Sequence, residues 1–223
     1  QTYHGVVKCA LGWACWKTYV GRPETDQVQG MAMTILGLGL SSAGHNESAM
    51  LGFEAELATK RRLGASEENL LIAQGNLANT YSTLGRDEEA LLIRQEVYSG
   101  HLKLNGEENY DTLTAANNYA SALNNLERFE EARSLLRKTK PVARRILGEG
   151  HRLTLKIRWI YARALINAGG TLDNLREAVT TLVESERTAR RVFGSAHPLT
   201  EGIERDLQTS RATLRARETP SGK

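Results

Sequence analysis

The side chains best suited to acid–base, nucleophilic or metal chemistry are five histidines and two cysteines, and their spacing argues against all three. Cys9 and Cys15 sit together near the start of the chain. Nothing downstream completes a four-ligand site with them, and His4 does not make up the deficit. Reduced thiols of a cytosolic or nuclear protein are the plainer reading. His151 and His197, taken singly, resemble general bases or ligands. Each, however, holds the same place in a recurring segment, Gly148-Glu-Gly-His151-Arg-Leu-Thr and Gly194-Ser-Ala-His197-Pro-Leu-Thr. A side chain that recurs in a connector is read as structural, and His197 with Thr200 is expected to help cap the helix that follows. Gly37-Leu-Gly39 belongs to a helical stretch and Gly169-Gly170 to an inserted turn, so neither is a phosphate-cradling loop. No HExxH, CxxC or Ser/His/Asp context is present. The reading is therefore no catalytic residue, no metal ligand and no cofactor.

What positions these residues is a period. Gly64, Gly106 and Gly148 are 42 residues apart, and Gly194 follows 46 residues later. Between them, Gln74 to Ile93 realigns at the same offset with Ala116 to Leu135. Asn76 meets Asn118, Ala78 meets Ala120, Arg86 meets Arg128, and Glu88-Glu89-Ala90 meets Glu130-Glu131-Ala132. Leu77, Tyr81 and Leu84 follow helical spacing, Gly85-Arg86-Asp87 makes a turn, and Ala90, Ile93 and Val97 form the stripe of a second helix. Small Ala78 and Ala90 let the two helices approach closely. Each unit is thus an antiparallel helix pair that must stack on neighbours to bury its apolar faces. The fold class is all-α, a right-handed superhelical solenoid of such pairs.

A degraded copy precedes these at Leu40 to Leu51. A later one carries Tyr161-Ala162, with four extra turn residues around Gly169-Gly170 that account for the 46-residue spacing. The chain divides into residues 1–29 as a helical remnant or cap, 30–198 as about four helix pairs, 199–217 as a capping helix and 218–223 as a disordered tail. Leu199, Ile203, Leu207 and Leu214 line one side of that last helix. Pro141, inside the helix expected over Glu131 to Leu147, predicts a kink or early break near Lys140.

The pattern Asn-Leu-Ala-x-x-Tyr-x-x-Leu-Gly-Arg-x-Glu-Glu-Ala, with a Gly-x-x-His-Pro-x-Thr connector, resembles the kinesin-light-chain type of tetratricopeptide repeat. The resemblance spans about residues 30–205 and is strongest over Gln74 to Ala132. No heptad stalk is visible, so it concerns the repeat rather than a motor subunit. In that family the first helix of each pair lines a concave groove that binds peptides or partner proteins. By position, this implies partner-binding roles for Asn76, Asn79 and Thr83 in one unit. The next unit supplies Asn117, Asn118, Ser121, Asn124 and Asn125, and the one after it Lys156, Trp159, Arg163 and Asn167. Asn side chains can grip both N–H and C=O groups of an extended peptide, and Trp159 and Arg163 have the character of energetic anchors. The alternative is that several of the Asn residues bond neighbouring helices and that Trp159 packs between units.

Charge is split along the chain. Residues 1–127 hold 9 Lys/Arg against 15 Asp/Glu, a net of −6, and residues 128–217 hold 19 against 10, a net of +9. An acidic protein or peptide would be drawn to the second part, where Arg144, Arg145, Lys156, Arg158, Arg163, Arg187, Arg190 and Arg191 are the candidate basic surface. Pairing of these residues with Glu184 and Glu186 is the competing reading. Nucleic acid ranks below protein as a partner, because the aromatic platforms that stack single-stranded bases are sparse. No apolar run reaches the length of about 18 residues that spans a bilayer, so no membrane insertion is expected. The segment Val6 to Tyr19, with Trp13, Trp16 and Tyr19, packs as the remnant of a preceding helix or offers an aromatic contact to another subunit. No starting Met and no signal-peptide pattern stand at Gln1, so the sequence is expected to be part of a longer, cytoplasmic protein. The function expected is a protein–protein interaction scaffold, with a structural subunit of a larger complex as the alternative.

Overall fold

The computed structural model describes residues 3–23, 27–169 and 171–218. Among them run ten helices: α1 (Tyr3–Tyr19), α2 (Gln27–Ser42), α3 (Asn46–Arg62), α4 (Glu67–Thr83), α5 (Asp87–Asn105), α6 (Tyr110–Asn125), α7 (Phe129–Leu147), α8 (Arg152–Asn167), α9 (Leu172–Phe193) and α10 (Pro198–Glu218). They fall into two compact units that divide between Leu104 and Asn105. The fold is all-α and built of tetratricopeptide-like helix pairs. The boundary expected at residues 29 and 30 falls inside α2. The tail at 219–223 and Gly170 of the inserted turn lie outside the described residues.

The starts of α4, α6, α8, α9 and α10 share a chemistry. Ser66 Oγ accepts from Asn69 N–H at 3.4 Å, and Thr171 Oγ1 from Asn174 N–H at 3.2 Å. At the connector position, Asn109 Oδ1 accepts from Asp111 N–H at 2.7 Å. His151 Nδ1 does the same for Leu153 N–H, and His197 Nδ1 for Leu199 N–H, each at 3.1 Å. These side chains satisfy amides that the first helical turn leaves without a partner. The histidines are therefore caps, as their recurrence implied.

Helix ends use the left-handed region, which a Cβ makes costly. Gly85 closes α4 at φ 75°. The residue 42 positions later is Glu127, at φ 59°, the one non-glycine with positive φ among the described residues.

In the first unit, Ala49, Phe53, Leu57, Ala73 and Leu77 form a buried cluster, with Tyr81 and Ile93 packed against it. There α1 lies on α2 in backbone contact. A Cβ at Gly5 would stand 2.1 Å from the Ser42 carbonyl oxygen, one at Gly12 2.9 Å from that of Ile35, and one at Gly39 2.7 Å from that of Lys8. In the second unit the helix layers are filled by side chains, among them Leu113, Leu123, Leu136, Leu155, Ile157, Leu165, Leu182 and Ile203. Of the kink or early break expected near Lys140, the break does not occur, and α7 continues through Pro141 to Leu147. Buried Leu136 and Thr139 before the proline and Ala143 after it hold both halves in the layer, which offsets the lost backbone bond.

Candidate binding surface on the first helices of the repeats

In the first unit, α4 is the first helix of its pair. Asn79 and Thr83 are exposed and Asn76 is half-buried. Asn79 Oδ1 accepts from Arg94 Nη2 at 3.2 Å, which leaves its amide hydrogens directed elsewhere. The turn after α4 is braced by Arg86, whose guanidinium lies 4.3 Å over the Tyr81 ring and clasps Glu89. Tyr81 Oη in turn donates to Glu54 at 2.7 Å, and this bond, with burial, raises the phenol's pKa.

In the second unit the first helices are α6, α8 and α10, with α8 in contact with both others. On α6, Asn118 and Ser121 are half-exposed and Asn125 is exposed. Asn117 and Asn124 are not available: they are 6% and 8% exposed. Asn124 Nδ2 donates to the Ile160 carbonyl at 3.0 Å, and Asn117 Nδ2 donates to Asn118 Oδ1 at 3.2 Å. This corrects the groove assignment for both. Asn124 tethers α6 to α8, and a buried side chain has no face to offer a ligand.

On α8, Lys156, Trp159, Arg163 and Asn167 follow one another at helical spacing, the first two half-buried and the last two exposed. Burial, with Arg152 nearby, lowers the Lys156 pKa. Trp159 is held from α10. Its indole Nε1–H donates to Asp206 Oδ2 at 2.6 Å, and a Cβ at Gly202 would come within 2.5 Å of its ring. Arg163 Nε lies 3.9 Å from the same Asp206 oxygen. Asp206 and Gly202 thus complete the row and were missed from the sequence. The signal is in the sequence: α10 begins after the same Gly-x-x-His connector as α8, and the two residues are four apart on it.

Of the eight candidate basic residues, Arg144, Arg145, Arg158, Arg163 and Arg190 are paired with carboxylates, and the excess of positive charge in this part of the chain remains. Arg158 is no surface residue: its side chain is 8% exposed, donating to Glu149 Oε2 at 2.7 Å and to Glu184 Oε2 at 2.5 Å. With Lys140, Pro141, Arg144 and Thr181, these residues line a small recess of about 160 Å³. Lys140 lies over the Tyr161 ring at 4.1 Å, and burial lowers its pKa. Burial and a bond to Glu177 push the Tyr161 phenol up to about 12. Arg144 pairs with Glu149, Arg145 with Glu108, and Arg190 with Glu186 and Glu204. Arg187 and Arg191 are exposed. No group of three or more His, Cys, Asp or Glu is placed to hold a metal ion, and no helix is long and apolar enough to cross a membrane, among the described residues.

A tetratricopeptide-repeat family model matches residues 70–111 and 112–153. No curated protein sequence matches the chain. Among solved structures, BtubC (BKLC) from P. vanneervenii is 14% identical, with a TM-score of 0.66 over 100% of this chain and 95% of that one. A kinesin-light-chain-like protein of Podosopora anserina, with nearly identical TPR-like repeats, is 22% identical over 83% of this chain and 92% of that one, with a TM-score of 0.67. Rap protein in complex with Competence and Sporulation Factor is 12% identical, with a TM-score of 0.61 over 96% of this chain and 60% of that one. At these identities the likeness speaks for the fold. The two matched repeats and the 42-residue period agree with it: residues 70–153 carry tetratricopeptide repeats, and the chain as a whole has a fold similar to that of kinesin-light-chain-like repeat structures.

Proposed function

We propose that the protein is a non-catalytic interaction scaffold that holds an extended segment of a partner protein along the first-helix face of its second unit. The observation that carries this reading is the row Lys156, Trp159, Arg163 and Asn167 on α8, beside Asn118, Ser121 and Asn125 on α6. Trp159 is fixed in place by Asp206 and Gly202, so little side-chain entropy remains to be lost when a partner packs on its free edge. Arg163 is shared at long range with Asp206 and keeps donors for an incoming acceptor. Amide side chains beside it suit main-chain groups of an extended segment. The net charge of +9 over residues 128–217 favours a segment carrying carboxylates. Rap protein, a fold neighbour, is known in complex with Competence and Sporulation Factor, which supports this use of the architecture without naming a ligand here.

The test is affinity purification with the wild type and with the triple variant Asn118→Ala/Asn125→Ala/Arg163→Glu, all at sites with solvent access. Loss of the captured partners from the variant is expected. Retention of every partner sinks the reading. Capture of random RNA with a steep salt dependence would replace it with a nucleic-acid role.

A further inference from the structure

We infer that α1 is the docking surface for an amphipathic helix of a partner whose apolar stripe is flanked by carboxylates. The site is in the first unit and independent of the first-helix row in the second.

Two adjacent stripes of α1 are apolar and open. Val6, Ala10 and Trp13 form one, Val7, Leu11 and Ala14 the other, with Leu11 63% and Trp13 53% exposed. Beside the first stripe is a recess of about 330 Å³ lined by Val6, Cys9, Ala10, Trp13, Ala43 and His45. The opposite side of α1 is committed to α2 through the glycine contacts at Gly5 and Gly12, so the open stripes cannot turn inward. Two adjacent open apolar stripes make a face of the kind that is normally buried. Elsewhere in the repeat architecture, such a face is covered by another helix.

Charge selects the occupant. Neither α1 nor α2 contains an Asp or Glu, while Lys8 and Lys17 of α1 are exposed, one turn before Leu11 and one turn past Trp13. Glu24 and Asp26, in the connection between the helices, lie outside the described residues. A second copy docking α1 on α1 would bring the lysines of α1 to one another, and neither α1 nor α2 holds a carboxylate to meet them; exposed Glu47, at the start of α3, is the acidic side chain nearest in sequence to the recess-lining His45. An anionic membrane is a poorer fit, since polybasic lipid-binding segments use about 4–8 cations and α1 offers two. A recess also calls for a protruding side chain, which a helix supplies and a lipid surface does not. An amphipathic helix with Glu or Asp beside its stripe meets all three conditions.

The experiment uses two fluorescein-labelled helical peptides of about 20 residues with the same leucine stripe, one flanked by Glu and one by Lys, read by anisotropy against the whole chain. The Glu peptide is expected to bind about tenfold tighter or more, with Leu11→Asp weakening it by about tenfold or more. Lys8→Glu/Lys17→Glu should reverse the preference between the peptides. All three substitutions are at exposed positions, and circular dichroism checks that the fold persists. Equal binding of the two peptides, or none, overturns the proposal. So does retention on phosphatidylserine vesicles without peptide binding, which would assign the face to a lipid surface. A concentration-dependent dimer abolished by Leu11→Asp would assign it to a second copy.

Discussion

The α1–α2 pair and the α9–α10 pair solve the same packing problem by different means. In α9 and α10 the contact is made by side chains: Leu175, Ala178, Leu182 and Ala189 from one helix, Leu199, Ile203 and Leu207 from the other, all buried. The outer faces are charged and cross-linked, with Arg176 bonded to Glu218 and Arg190 to Glu204. In α1 and α2 the contact is backbone on backbone at Gly5, Gly12 and Gly39, and the outer faces expose Leu11, Trp13, Met31 and Leu38. A side-chain interface should lose stability when atoms are removed, and a glycine interface when they are added. The α9–α10 pair is finished against water and the α1–α2 pair is not.

Four changes probe this difference. The largest effect is expected at Ile203, fully buried in α10. Ile203→Ala should cost about 2–5 kcal/mol by urea unfolding, and a cost under 1 would mean that the layer collapses around the gap. Gly39→Val should cost about 1–3 kcal/mol through overpacking and raise amide exchange in α1 and α2. If exchange there is unchanged, the backbone contact is not what holds α1. Glu127→Gly works in the other direction. It relieves the left-handed strain at φ 59° but frees the unfolded chain, for a net gain of about 0.5–1 kcal/mol in thermal unfolding. Smallest is Glu218→Ala, which breaks an exposed ion pair with Arg176 and should shift stability by less than about 0.5 kcal/mol. A larger loss would show that charge, not the apolar stripe, seats α10.

What the sequence made legible is what the period repeats. Identical residues 42 apart face identical constraints, so the turn at Gly85, the stripe of Ala90 and Val97 and the caps at His151 and His197 could be read without coordinates. What escaped depends on contacts between elements. Asn124 is indistinguishable from Asn125 until α8 supplies the Ile160 carbonyl. Arg158 reads as one more surface cation because its two carboxylates come from the connector before α8 and from α9. Asp206 is hidden in the sequence because a last helix reads only as a cap, whereas α10 also stands beside α8 and reaches Trp159 from there. At Pro141 it is the early break that fails to occur, because buried residues on either side of the proline keep α7 continuous.

The capping histidines have one further consequence. Because Nδ1 of His151 and of His197 takes the amide hydrogen, each neutral ring must keep its own proton on Nε2. The imidazoles are thus locked in a single tautomer by the backbone itself. Their nitrogen resonances become built-in reporters of whether α8 and α10 have begun, readable before any partner has been identified.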